Sequence, residues 1–188
     1  MIQNFSKYSL SIVKITLNTP TLLDEIKNFQ FLAENLRSYD VTKNTYYSKI
    51  FFKFCHMNRC TNEVKQIFLN FLEYNKNKSK LSLEASIIDL KIKTNKCQKA
   101  YITKMFAIIN SDYPILNTPI CDKLDIPNIS GIKNKNAICT QYLNLQKAYK
   151  EFLSTKQCKQ WLELFDKKFP TVKISPTKKV DFILWIIP

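Results

Sequence analysis

Residues 99–120 read KAYITKMFAIINSDYPILNTPI. Lys99 opens an apolar helix whose stripe, Cys97, Tyr101, Met105 and Ile108, recurs at steps of three and four. A turn containing Pro114 follows. Asn117, Thr118 and Pro119 then supply a capping residue and a proline for the first turn of a second helix. Helix, proline-marked turn, helix, with no glycine between them: that reading decides the fold class, and the rest of the chain repeats it.

Working outward, Leu22, Ile26, Phe29, Ala33 and Leu36 share one helical face, with Thr19 and Pro20 placed as cap and first turn. Tyr47, Ile50, Phe51, Phe54 and Cys55 mark a second helix, and Val64, Ile67, Phe68, Phe71 and Leu72 a third. The tract NKNKSK, 75–80, is a polar connection. Leu81, Ala85 and Ile88 then lie on one face and Leu83, Ile87 and Leu90 on another, which predicts a helix buried on more than one side. Ile138 to Phe152 and Cys158 to Phe169 carry two further stripes, and Ser175-Pro176 opens a last helix with an apolar body, VDFILWII. Residues 1–18 fit an edge strand or a packed arm. The chain has one glycine, Gly131, where a β-sandwich or barrel needs many for its turns. The expectation is a single all-α domain over 1–188, a two-lobed bundle of about seven to nine helices. Its N-terminal lobe spans about 20–75, its core about 80–150 and its C-terminal helices 155–188.

Twenty-nine basic residues against 15 acidic leave a formal charge of +14. A polyanion is the matching partner, because each phosphate neutralised releases condensed counterions. Only Arg37 and Arg59 are arginines, so bidentate reading of guanine edges is not expected and contact with the nucleic-acid backbone is. Lys91, Lys93, Lys96 and Lys99 form the densest basic run, and Lys133 and Lys135 lie beside the loop 125–136. An acidic protein partner accounts for the charge equally well. Tyr46, Tyr47, Tyr101, Tyr113 and Tyr142 are aromatic candidates for stacking on bases, against a default place in the core.

Six cysteines, at 55, 60, 97, 121, 139 and 158, are scattered over apolar helix positions. The start, MIQNFSKYSLSIVK, has no continuous apolar core, and the longest apolar run, FILWII at 182–187, is too short to span a bilayer. Reduced cysteines in a cytoplasmic protein, with no membrane partner, are expected. Cys55, His56 and Cys60 are the one metal-like group; they lack a fourth ligand of motif spacing, and no metal is expected.

The frame of Lys99 and Asn117, 18 residues apart around Pro114-Ile115-Leu116-Asn117-Thr118, resembles the core of the helix-hairpin-helix DNA glycosylases of the 8-oxoguanine-glycosylase-like fold. Thr103-Lys104 resembles a Ser/Thr-Lys pair found in some bacterial proteins of that fold, so Lys104 competes with Lys99. The resemblance covers about 80–125, and VDFILWII more loosely. It implies a two-lobed DNA-binding protein in which Lys99 is the amine nucleophile on the sugar carbon, Asn117 stands on the sugar side, and Lys91, Lys93, Lys96, Lys104, Lys133 and Lys135 meet nucleic acid. It also implies base-excision or lyase activity without a soluble cofactor. Two departures weigh against full activity. Asn117 stands where the family has an aspartate, at a cost of roughly a few kcal/mol of transition-state stabilisation. The family's glycine-rich hairpin is absent before Lys99; IPNISGIKNKNA, 126–137, resembles it distantly but lies after the pair. The alternative is a non-catalytic nucleic-acid or protein-binding helical module of a defence, repair or mobile-element system.

Overall fold

The computed structural model describes residues 2–188. Among them are eleven α-helices, a 3-10 turn at Ile132–Asn134 and no strand. In chain order the helices are α1 (Ile2–Ser6), α2 (Leu10–Thr16), α3 (Leu22–Asn35), α4 (Thr45–Phe54), α5 (Asn62–Asn75) and α6 (Leu83–Thr94). They continue with α7 (Lys99–Ile109), α8 (Thr118–Lys123), α9 (Lys135–Leu153), α10 (Lys156–Lys168) and α11 (Pro176–Ile186).

The all-α expectation holds, and the expected range of seven to nine helices is too low. The two additional helices are α1 and α2, in the stretch read as strand or arm. Phe5, Tyr8, Val13 and Leu17 are buried there while Ile15 points to solvent, which is a helical and not an alternating pattern. Ser9 caps α2, its Oγ accepting from Ile12 N. Phe5 stacks on Phe152 of α9 with ring centroids 4.2 Å apart. Tyr8 Oη donates to the Lys123 carbonyl at 2.9 Å, and Lys7 pairs with Asp125 at 2.8 Å. The arm is thereby clasped between the end of α8 and the α9–α10 corner.

The starts of α4, α5, α6, α8, α10 and α11 are set by short polar side chains, of which the sequence predicts Asn117 and Ser175. Asn44, Thr61, Ser82, Asn117, Thr155 and Ser175 each accept a backbone N–H from the first turn of the helix they precede, each contributing about 1 kcal/mol. The start of α3 differs from expectation. Thr21, not Thr19, is the N-cap, and its side chain makes no capping bond. Gly131 has φ +87°, a left-handed conformation that other residues resist, so the lone glycine stands where the backbone demands one.

The buried residues from Phe5 to Ile187 form one continuous apolar cluster. At its centre lies α7, packed on α3, α5 and α6, with every residue from Ile102 to Ile109 buried. The helix expected to be buried on two faces is α6, and it buries only one. Leu83, Ile87 and Leu90 face inward, whereas Ala85 and Ile88 are exposed and Ile92 is 79% exposed. Among the described residues no helix packs over the outer face of α6. Among the described residues no helix is long and apolar enough to cross a membrane.

Candidate functional site

Thr103 organises the proline-marked turn. Its Oγ1 donates to the Lys99 carbonyl at 3.0 Å and accepts the Leu116 N–H at 3.0 Å, so residues 114–117 are held across α7. Asn117 follows at once, its Oδ1 accepting from Ile120 N at 3.1 Å to cap α8. The fold places this turn beside Phe54 at the end of α4 and beside α11, which packs on α8.

A small cavity lies where these elements meet. Its aromatic walls are Phe54, Phe182 and Trp185, its aliphatic walls Ile115 and Ile120, and its polar walls Lys104, Lys178, Asp181 and Asn117. The space open to water centres is about 20 Å3, enough for one water, which needs roughly 10–15 Å3. Asn117 and Trp185 are half-buried and form its outer side. His56, with φ +56°, packs edge-on against Trp185 at 5.6 Å.

Lys104 is 6% exposed. Its Nζ donates to the Phe54 carbonyl at 2.8 Å and sits 5.1 Å from the Phe54 ring centroid and 5.6 Å from that of Trp185. Burial holds its pKa below the usual lysine value, with Cys55 and Glu25 opposing that shift. An amine so placed loses its proton more readily than a surface lysine does, which is the condition for nucleophilic use. Burial pushes the Glu25 carboxyl up, and Lys104 pulls it back down.

Across the cavity Lys178 and Asp181 form a buried ion pair one turn apart on α11. Asp181 also accepts the Tyr149 hydroxyl at 2.6 Å and the Ile115 N–H at 3.3 Å. Burial pushes both partners toward their uncharged forms, Asp181 upward and Lys178 downward.

Among the described residues Lys99 and Asn117 share no hydrogen bond and line no common cavity. Lys99 is 7% exposed rather than solvated, and its Nζ donates to Asn128 Oδ1 at 2.9 Å and to the Ile129 carbonyl. Asn128 in turn donates to Thr118 Oγ1 at 3.1 Å, so Lys99 holds the loop after α8 against the start of α7. Its amine is tied to this loop and stands outside the cavity. Lys104 is the lysine that shares a cavity with Asn117.

The Lys104 amine is buried under Phe54 and Trp185 and not open to solvent. Of the remaining lysines, Lys91 donates to Asn95, Lys93 pairs with Asp89 at 2.8 Å and Lys135 with Glu84 at 2.6 Å. Lys96 and Lys133 are exposed and carry no ion pair among the described residues. Among the aromatic candidates Tyr47 and Tyr142 are core residues, Tyr101 packs edge-on against Phe68, Tyr113 is half-buried and Tyr46 is exposed. No group of three His, Cys, Asp or Glu residues suited to a metal occurs among the described residues.

Lys178, Asp181 and Tyr149 were missed in the sequence. VDFILWII reads as a structural apolar helix, and it is buried; the signal overlooked was an aspartate inside such a helix, with a lysine three residues before it. Compared with family models, curated proteins and solved structures, the chain matches none.

Proposed function

We propose that the protein binds nucleic acid and uses the Lys104 amine to capture the aldehyde carbon of a base-free sugar, a lyase-type reaction. The observation that carries this reading is the desolvated Lys104 amine in the wall of a cavity that also holds Asn117 and the Lys178–Asp181 pair. The uncharged amine attacks the aldehyde carbon and forms an N–C bond. The carbonyl π pair moves to oxygen, which takes one amine proton to give the neutral carbinolamine. Its hydroxyl then takes a proton from solvent and leaves as water with the C–O pair, while the nitrogen lone pair forms the C=N bond of an iminium that keeps one N–H. Asn117 offers a neutral polar group on the open side. The Lys178–Asp181 pair contributes a carboxylate whose charge is balanced and whose oxygens are held by Tyr149 and Ile115. The +14 charge supports a polyanionic substrate.

Borohydride trapping on an oligonucleotide carrying an abasic site tests this. Wild type and Lys99→Ala should give a covalent adduct, mapped by mass spectrometry to Lys104, and Lys104→Ala should give none. An adduct that survives Lys104→Ala, or that maps to another residue, sinks the assignment.

The size of the cavity favours a second reading. Space for one water admits no nucleotide unless Trp185 and its neighbours move, and this suits a nucleic-acid-binding module without chemistry. Salt-sensitive binding with no adduct in the wild type would establish that reading in place of the first.

A further inference from the structure

Three surface depressions adjoin one another. The first, of about 560 Å3, lies between α5 and α6 and holds Tyr74, Lys78, Lys80 and Lys93. The second, about 370 Å3, shares Lys78 with the first and adds Arg37 and Tyr113. The third, about 450 Å3, shares Asn110 and Tyr113 with the second and adds Lys150, Gln146 and Asp112. Because neighbours share wall residues, the three depressions lie in a row, together the trough, from the α5–α6 groove to the start of α11.

The lining repeats two kinds of group. Lys78, Lys80, Arg37 and Lys150 are exposed and have no ion-pair partner among the described residues. Lys93 is neutralised by Asp89, and Asp112 is the one other acid in the walls. Between the cations stand two tyrosines. Tyr74 is 75% exposed, and Lys78 Nζ lies 3.8 Å from its ring centroid. A large aromatic left in water is a cost that a stacked base would remove, and the ammonium over the same ring is placed to meet the adjoining phosphate. Arg37 is anchored by donation to the Ile109 carbonyl at 3.3 Å.

We infer that this trough binds single-stranded nucleic acid, with Tyr74 and Tyr113 as stacking platforms and Lys78, Lys80, Arg37 and Lys150 along the phosphates. The inference rests on the reading of the partner as nucleic acid and not on the chemistry of Lys104. A duplex hides its base faces and leaves the exposed tyrosine unused. An acidic peptide would use the cations and likewise leave the ring bare. The far end of the trough is walled by Tyr149 and Thr177. Tyr149 donates to Asp181 of the buried cavity, so the strand would end against the back of the candidate site.

The test is fluorescence anisotropy of the full chain with an oligothymidine of about 12 nucleotides and with the matching duplex, over a salt series. The single strand should bind more tightly than the duplex. Tyr74→Ala should weaken it roughly 5- to 50-fold, and Tyr74→Phe should restore binding. Combined replacement of Arg37, Lys78 and Lys80 by alanine should flatten the log–log salt slope by about 2, at ~0.7 per lost phosphate contact. Lys14→Ala with Lys159→Ala, both exposed and outside the trough, should change affinity less than twofold. Thermal melts of each variant separate lost contacts from lost fold. If the wild type binds but the trough variants bind equally well, or if the duplex binds more tightly, the trough is overturned and the nucleic-acid reading survives. Displacement of the strand by polyglutamate together with a silent Tyr74→Ala would likewise overturn it. No binding of either oligonucleotide by the wild type overturns both.

Discussion

Lys178 and Asp181, three residues apart on the last helix, neutralise each other with almost no exposure to solvent, and Asp181 ties that pair to Tyr149 and to the backbone of Ile115. The charges lie in the wall of the cavity that Lys104 shares. A buried pair of this kind stabilises less than its geometry suggests, because both ions were taken out of water. Removing one partner leaves the other stranded.

Asp181→Asn should therefore destabilise the fold by roughly 3–5 kcal/mol in urea unfolding. Lys178→Met added to Asp181→Asn should recover a large part of that loss, so the double variant is more stable than Asp181→Asn alone. Additive losses in the cycle would mean that the two side chains do not act as a pair.

Lys104 makes a pH-dependent contribution whose sign follows from its lowered pKa. Below its folded pKa the amine prefers the proton-binding unfolded chain, so its burial opposes folding. As pH rises through the folded value toward the ordinary 10.5, that penalty disappears. Wild type should gain melting temperature relative to Lys104→Met as pH rises toward 10.5. A flat difference would show that the amine is not desolvated.

Thr103→Val should leave the buried Leu116 N–H without an acceptor and cost roughly 1–3 kcal/mol, while Thr103→Ser should keep most of the stability. Equal melting temperatures for the two variants would contradict the role of Thr103 in fastening the turn.

Asn117→Ala should cost about 1 kcal/mol through the lost cap of α8, and Asn117→Asp should retain it. Circular-dichroism melts distinguish the two, and a melt of Asn117→Asp as low as that of the alanine variant would count against the capping geometry.

Thiol labelling of the native chain at mildly alkaline pH should modify the half-buried Cys60, Cys97 and Cys139 and spare the buried Cys55, Cys121 and Cys158. Burial pushes the Cys55 thiol up to about 12 and that of Cys158 to about 11, which keeps them protonated as well as hidden. All six should label after unfolding. Rapid native labelling of Cys55 would show that the α4 end opens.

Much of this architecture is legible in the chain because capping and periodicity are local. Asn117 and Ser175 announce their helices by residue type, and Phe51, Phe54, Phe68 and Leu72 announce their inner faces by spacing. What was not legible depends on distant partners. Residues 1–18 alternate well enough to suggest a strand until the surfaces of α9 and α10 are present to bury Phe5 and Tyr8. The spacing from Lys99 to Asn117 marks the turn that lines the cavity, and the lysine found in that cavity is Lys104. Position along a helix does not reveal that Asn128, 29 residues on, will occupy one amine while the Phe54 carbonyl, 50 residues back, draws the other to the cavity. Of the partners of Asp181, Lys178 is local, but Tyr149 and Ile115 come from α9 and the turn before α8 and are as distant in the chain.

The central position of α7 has a consequence for how the chain changes over generations. A helix with neighbours on nearly every side has no outer surface on which substitutions are neutral, because added volume strains the core and lost volume leaves a void. Drift should be slowest across residues 102–109 and fastest on the uncovered side of α6. In any descendant or cousin of this protein, the stretch that survives longest should be the one at its centre.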